Sequence, residues 1–218
     1  MRDTQDVVTP ASSPTMTRAV LCSRLRVEQL VSHSLGPVSF SLDEGECMGL
    51  SGPSGSGKTL LLRAIADLDP QAGEVSLDGV ECRSMRGHLW RRHVGMLPAE
   101  SQWWWPTVGE HFINIDAEMH AMLGFECAVM HWPVTRLSSG ERQRLALLRL
   151  LALQPQVLLL DEPSANLDNN NVRRVEALIA DYCARHNACV VWVSHDMEQI
   201  ARLGGRHCRL ANGKLVDA

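Results

Sequence analysis

The chain has no window of about 18 uninterrupted apolar residues, and Arg149 interrupts the longest apolar run. If the protein acts at a membrane, something else must hold it there. The N-terminus has no apolar core of the kind a secretory signal carries, and no internal repeat is visible. The seven cysteines, at positions 22, 47, 82, 127, 183, 189 and 208, form no CxxC pair, so reduced thiols in a cytosolic setting are expected. There is no excess of basic charge: the net charge is −4, which removes the electrostatic case for a nucleic-acid partner. Aromatic residues make up only 5% of the chain, and none precedes Phe40. What remains is 218 residues with 45% apolar content, enough for a sizeable core in one large domain or two small ones.

The most informative stretch is GPSGSGKT: Gly52, Pro53, Ser54, Gly55, Ser56, Gly57, Lys58 and Thr59. It fits the phosphate-binding pattern GxxxxGK[ST] at every fixed position. The glycines let the backbone bend tightly and turn successive N–H groups toward phosphate oxygens. Lys58 adds a mobile positive charge for the outer phosphates, and the Thr59 hydroxyl suits Mg²⁺. The apolar CMGLS before the loop reads as a buried strand. LLLRAIADL, from Leu60 onward, reads as a helix whose N-terminus faces the anion.

Residues 1–18 lack periodicity and read as a disordered tail. Strands are expected over Ala19–Val27, Val38–Leu42, Glu74–Gly79 (an edge strand) and Arg91–Leu97. From Ala99 the character changes. SQWWWPT places Trp103, Trp104 and Trp105 side by side, and apolar residues at 112, 115, 119, 122 and 123 predict an amphipathic helix over His111–Leu123. Leu137–Leu153 reads as a buried helix opened by serines suited to capping. VLLLDE is an apolar strand delivering Asp161 and Glu162 at its C-terminal end, where ligands sit in open α/β sheets. Asn169–Asn171 suit the cap of a helix running through Tyr182. ACVVWVSHD is a further buried strand with His195 just past its end, and Asn212–Gly213 signals a terminal hairpin.

The phosphate loop, LSSGE, VLLLDEPSANLD and VSHD stand in the order and approximate spacing of ABC-type ATPase cassettes, which residues 19–218 resemble. The resemblance implies an α/β P-loop NTPase: a RecA-like core (19–98 and 154–218) with an antiparallel β portion and an inserted small helical subdomain (99–153). It implies ATP and Mg²⁺ as cofactors and a head-to-tail homodimer that sandwiches two ATPs. It also implies a separate transmembrane permease as partner, hence a cytoplasmic protein peripheral to the inner face of the membrane. By the same resemblance Asp161 helps hold Mg²⁺ with Thr59, Glu162 is the general base, and His195 contacts the γ-phosphate. Leu60 continues the phosphate cradle. Ser138, Ser139, Gly140 and Glu141 grip the nucleotide of the second copy at a helix N-terminus, and Asp168 lies at the dimer interface.

Three departures from that family's pattern stand out. Ala99 occupies the place of a usual metal-ligating glutamine, with Glu100 next to it as a substitute ligand. No aromatic ring precedes the phosphate loop to stack on adenine, leaving His33, Arg24 or Arg26, so weak discrimination among purine nucleotides is expected. LSSGE carries Ser139 and Glu141 where glycine and glutamine are usual. The tryptophans lie where such cassettes meet their permease, and either exposed docking rings or rings packed within the subdomain fit the sequence. The closest look is to small subunits grouped with metal (iron) exporters. A weakly hydrolysing regulatory module and a soluble non-transport ABC protein are the competing readings.

Overall fold

Hydrophobic patterning divides the strands into two sheets. The computed structural model describes residues 23–114 and 116–217. The expected tail, Ala19–Cys22 of the first strand and Ile115 of the amphipathic pattern lie outside the described residues. The elements are β1 (Leu25–Ser32), β2 (Leu35–Leu42), β3 (Cys47–Ser51), α1 (Lys58–Ile65), β4 (Ala72–Leu77), β5 (Val80–Glu81), α2 (Gly87–His93) and β6 (Val94–Leu97). They continue with α3 (Ala117–Met122), α4 (Ser139–Leu151), β7 (Val157–Asp161), α5 (Asn169–His186), β8 (Cys189–Val193), α6 (Met197–Leu203), β9 (Arg206–Ala211) and β10 (Lys214–Asp217).

An antiparallel sheet of order β2-β1-β4-β5 packs beside a six-stranded sheet of order β10-β9-β3-β8-β7-β6. Five strands of the larger sheet, β9 through β6 in that order, run parallel, and only β10 is antiparallel. Each of β7 and β8 is buried along its whole length, which is why both read as unbroken apolar runs. The pleat sends Val157 and Leu159 into one core with α1 and the antiparallel sheet, and Leu158 and Leu160 into a second with α4 and α5.

Four expectations change at the level of packing. Glu74–Leu77 is not an edge strand, because Asp78 and Gly79, at φ 48° and 80°, turn the chain so that β5 pairs outside β4. Arg91–His93 is helical rather than extended. Trp90, fully buried on α2, donates from Nε1 to the Ile65 carbonyl at 2.8 Å, and Arg91 donates to that of Asp67. The helix expected from His111 is broken. One 3₁₀ turn ends at His111, and α3 starts only where the Asp116 carboxylate accepts from the N–H groups of Glu118 and Met119. Finally, Asp168 rather than Asn169–Asn171 caps α5, which continues past Tyr182 to His186. The terminal hairpin forms as read, with Asn212 and Gly213 both in the left-handed region.

Candidate active site

β3 ends at Ser51, and the loop from Gly52 to Gly57 leads straight into α1. Gly52 has φ 149°, and a Cβ there would stand 2.3 Å from the Leu210 carbonyl oxygen, so no other residue fits the turn. Gly57 opens α1 in a left-handed conformation, and no side chain caps the helix. The first N–H groups of α1 therefore lack a side-chain partner, the condition for an anion site at a helix N-terminus. Lys58 is buried and curls back over the loop, donating from Nζ to the carbonyls of Gly52 (2.9 Å) and Pro53 (3.1 Å). Ser56 Oγ is buried without a hydrogen-bond partner among the described residues. Pro53, Ser54 and Gly55 are exposed at the mouth of the loop, and Leu60 lies on the first turn of α1.

The sheet brings distant residues to this loop. Thr59 Oγ1 donates to Asp161 Oδ2 at 2.7 Å across the gap between α1 and the end of β7. Asp161 is buried, and desolvation raises its pKa above the ordinary carboxylate value, opposed by the Thr59 hydrogen bond and nearby Lys58. A hydroxyl and a carboxylate converging on one point are hard oxygen donors of the kind Mg²⁺ takes, so these residues fit that ion. Glu162 follows with φ 49°, an unfavourable backbone for a non-glycine residue, held by its N–H donating to the Val193 carbonyl. Its Oε1 lies 2.8 Å from His195 Nε2.

A buried amide fixes the segments carrying these two groups. Gln199 Oε1 accepts from Ser164 Oγ at 3.0 Å and from Ser194 Oγ at 2.9 Å, while its Nε2 donates to Glu176. The loop after Glu162 and the strand end before His195 are thus tied to one side chain. Gln143, also buried, donates to the Pro98 carbonyl at 3.0 Å and anchors the segment that follows β6. Neither glutamine stands out in the sequence, since each takes its importance from partners far along the chain.

Other expected site residues lie apart from this cluster. Ala99 and Glu100 are exposed on a bend after β6, and Glu100 takes no part in the Thr59–Asp161 contact. Ser138 caps α4 in a reciprocal capping box: its Oγ accepts from the Glu141 N–H, and the Glu141 carboxylate accepts from the Ser138 N–H at 2.9 Å. Those bonds hold the Glu141 carboxyl below its ordinary pKa. Ser139 is exposed, and a Cβ on Gly140 would stand 2.9 Å from Leu167, so the start of α4 packs on the loop before α5. Asp168 accepts from the Asn171 N–H and side-chain amide, both at 2.8 Å.

Of the residues considered for stacking on a base, Arg24 is buried in an ion pair with Glu44, and Arg26 pairs with Glu28 at 2.7 Å. His33 stays exposed on the β1–β2 turn. The tryptophans divide: Trp103 packs into the second core, edge-on to His111, while Trp104 and Trp105 are 64% and 53% exposed. Arg149 sits over the rings of Trp103 and Trp104, 4.7 and 4.9 Å from their centroids. His111 Nε2 accepts from the N–H groups of Trp104 and Trp105 at 3.0 and 2.9 Å, which holds the loop in place.

A family model described as ABC transporter matches residues 35–165. The chain belongs to the ABC transporter family. It carries that family's ATPase domain on a P-loop NTPase fold. This ABC protein is 36% identical to Protein STAR1 of rice over 83% of its own length and 56% of that protein's. It is 35% identical to the aliphatic sulfonates import ATP-binding protein SsuB 1 of Pseudomonas syringae pv. tomato, covering all of this chain and 77% of the relative. The "Probable iron export ATP-binding protein FetA" of Escherichia coli is 31% identical over 76% of this chain and 80% of its own. Among solved structures, a bacterial Atm1-family ABC exporter with ATP bound superposes with a TM-score of 0.79 at 21% identity, covering 95% of this chain and 41% of that one. The ABC protein has no helix among the described residues long and apolar enough to cross a membrane.

Proposed function

We propose that this chain is the energy-coupling subunit of a transporter: it closes on a second copy around two ATPs and reopens on hydrolysis, driving a separate transmembrane permease. The observation that carries the reading is the convergence of Thr59, Asp161, Glu162 and His195 on one end of the parallel sheet beside Lys58. Lys58 and the loop N–H groups bind the β- and γ-phosphates. Thr59 and Asp161 would hold Mg²⁺, which would supply charge neutralisation on the phosphates. Glu162 accepts a proton from the attacking water, and His195, 2.8 Å from it, orients that carboxylate and the γ-phosphate. Ser138–Glu141 and Asp168 of each copy face the nucleotide held by the other. Glu100, exposed and outside the present cluster, would be a further oxygen donor to that ion only if the bend after β6 moved toward Asp161.

The domain division that goes with this reading is a core of 19–98 and 154–218 with a helical subdomain at 99–153, which presents Trp104 and Trp105 to the permease. The protein then works at the cytoplasmic face of the membrane, held by that partner. The permease sets the cargo. Relatives of similar identity are named for sulfonate import, phosphate import, putrescine transport and iron export, so iron export is one member of that range.

The test is steady-state Mg-ATP hydrolysis by the wild type beside Glu162→Gln, with sizing of both in ATP. Turnover by the wild type alone, with an ATP-bound dimer accumulating only in the variant, is the expected result. Equal turnover in both would remove Glu162 from its role.

A further inference from the structure

A cavity beside the phosphate loop holds two more nitrogen-bearing side chains, His207 and Arg209, that have no role so far. β9 runs parallel to β3, with His207 opposite Gly49 and Arg209 opposite Ser51. Alternation along the strand puts both side chains on one face, at the level of the first glycine of the phosphate loop. With Ser51, Gly52, His195 and Met197 they line a cavity of about 540 Å³, and no carboxylate is among its lining residues. His207 Nε2 lies 2.8 Å from Ser51 Oγ, which fixes the ring against the strand that feeds the loop. Arg209 is exposed, and its guanidinium has no hydrogen bond or ion pair among the described residues. An unpaired surface arginine is usually only a solvated charge. Here, however, it shares a cavity with His195, which is also in contact with Glu162, so the cavity opens directly off the reacting end of the site.

We propose that this cavity is an exit subsite for inorganic phosphate, with Arg209 and His207 as its binding groups. The inference rests on the hydrolysis reading above. In that reaction the water oxygen bonds to the γ-phosphorus as the bridging P–O bond breaks. The electron pair of that bond stays with ADP, and the proton of the water passes to Glu162. In-line displacement carries the phosphorus away from ADP toward the side from which water attacks, here the side of Glu162 and His195. The freed phosphate has lost its tether to the loop. The planar fork of an arginine matches two of its oxygens, and a histidine ring held at one nitrogen leaves the other for a third.

The test is titration of the full chain with inorganic phosphate in the presence of ADP, read by calorimetry, for wild type, Arg209→Gln, Arg209→Lys and His207→Gln. Lys58→Ala serves as the control for the phosphate loop. The expected result is a loss of phosphate affinity of roughly tenfold or more in Arg209→Gln, in line with loss of a charge-assisted hydrogen bond, with partial recovery in Arg209→Lys. Affinity for a non-hydrolysable ATP analogue should change by less than about twofold. In turnover, inhibition by added phosphate should weaken by the same factor while KM for ATP holds. Unchanged phosphate binding in Arg209→Gln would overturn the proposal. So would an equal loss of phosphate and ATP-analogue affinity, or a loss confined to ATP-driven dimerisation, which would assign the cavity to a carboxylate of the second copy. The titration needs no turnover, so phosphate binding at Arg209 in a chain that does not hydrolyse ATP would sink the hydrolysis reading and leave the subsite standing.

Discussion

Two helix N-termini in this protein are read as phosphate sites, and they are built in opposite ways. α1 opens on Gly57 with no side-chain cap, so its first donors await a ligand. α4 opens on Ser138 in a closed capping box, and the Glu141 carboxylate already occupies the Ser138 N–H. An uncapped terminus sacrifices helix stability and keeps its dipole available, whereas a closed box secures the helix and places a negative charge where an anion would approach. The lowered pKa of Glu141 means that this charge is present at neutral pH. One site is therefore poised to bind nucleotide within the chain. In the proposed dimer the other would have to open, or tolerate a repelling carboxylate, to grip the nucleotide of a second copy.

The largest effect that would test this contrast is at the open site. Removing the proposed general base in Glu162→Gln should lower turnover by more than about a hundredfold while leaving ATP binding intact, measured as phosphate release against nucleotide affinity. Lys58→Ala should instead weaken ATP binding by roughly tenfold to a hundredfold, because a charged donor to the outer phosphates is lost. Equal ATP affinity in wild type and Lys58→Ala would place the nucleotide elsewhere.

At the closed site, Glu141→Gln keeps a side chain able to accept from the Ser138 N–H but removes the charge. It should strengthen ATP-driven dimerisation in a Glu162→Gln background by about threefold to tenfold, read by sizing or ultracentrifugation. A weaker dimer would mean that the carboxylate assists closure. Its lowered pKa also implies that the cap stabilises the fold above the unfolded value and loses that contribution as pH falls through the folded one, a shift that Glu141→Gln should abolish. In the tryptophan loop, Trp103→Ala should destabilise the fold by about 1–3 kcal/mol, less than a fully buried ring, whereas Trp104→Ala should cost no more than about 1 kcal/mol and leave uncoupled hydrolysis unchanged. The smallest expected effect is in base choice. With Arg24 and Arg26 engaged in ion pairs, the preference for ATP over GTP should stay under about tenfold in competition binding.

Local signals account for much of what was legible. Fixed spacing in the phosphate loop, apolar runs ending in Asp161 and His195, and Asn212–Gly213 each describe an element that forms largely from its own residues. The same kind of signal misled where a short element depends on distant packing. Arg91–His93 carries strand-like neighbours, yet it is helical because Trp90 reaches Ile65 across the core. The pattern after His111 looks continuous, yet Asp116 restarts the helix through two backbone hydrogen bonds. Asp78–Gly79, placed inside the expected edge strand, instead turns the chain, and the two-residue β5 beyond it makes β4 an inner strand.

The sequence by itself determined the phosphate loop, the buried parallel strands and the residue types of the reacting group, because each is written in neighbours a few positions apart. Tertiary structure alone decided that Thr59 meets Asp161, that Glu162 meets His195, and that Gln199 and Gln143 brace the segments around them. It also decided that Arg209 stands beside Gly52. Those are contacts between residues far apart in the chain. They exist because parallel pairing of β3 with β8 and β9, and of β7 with β8, brings several strand ends together at one edge of a single sheet.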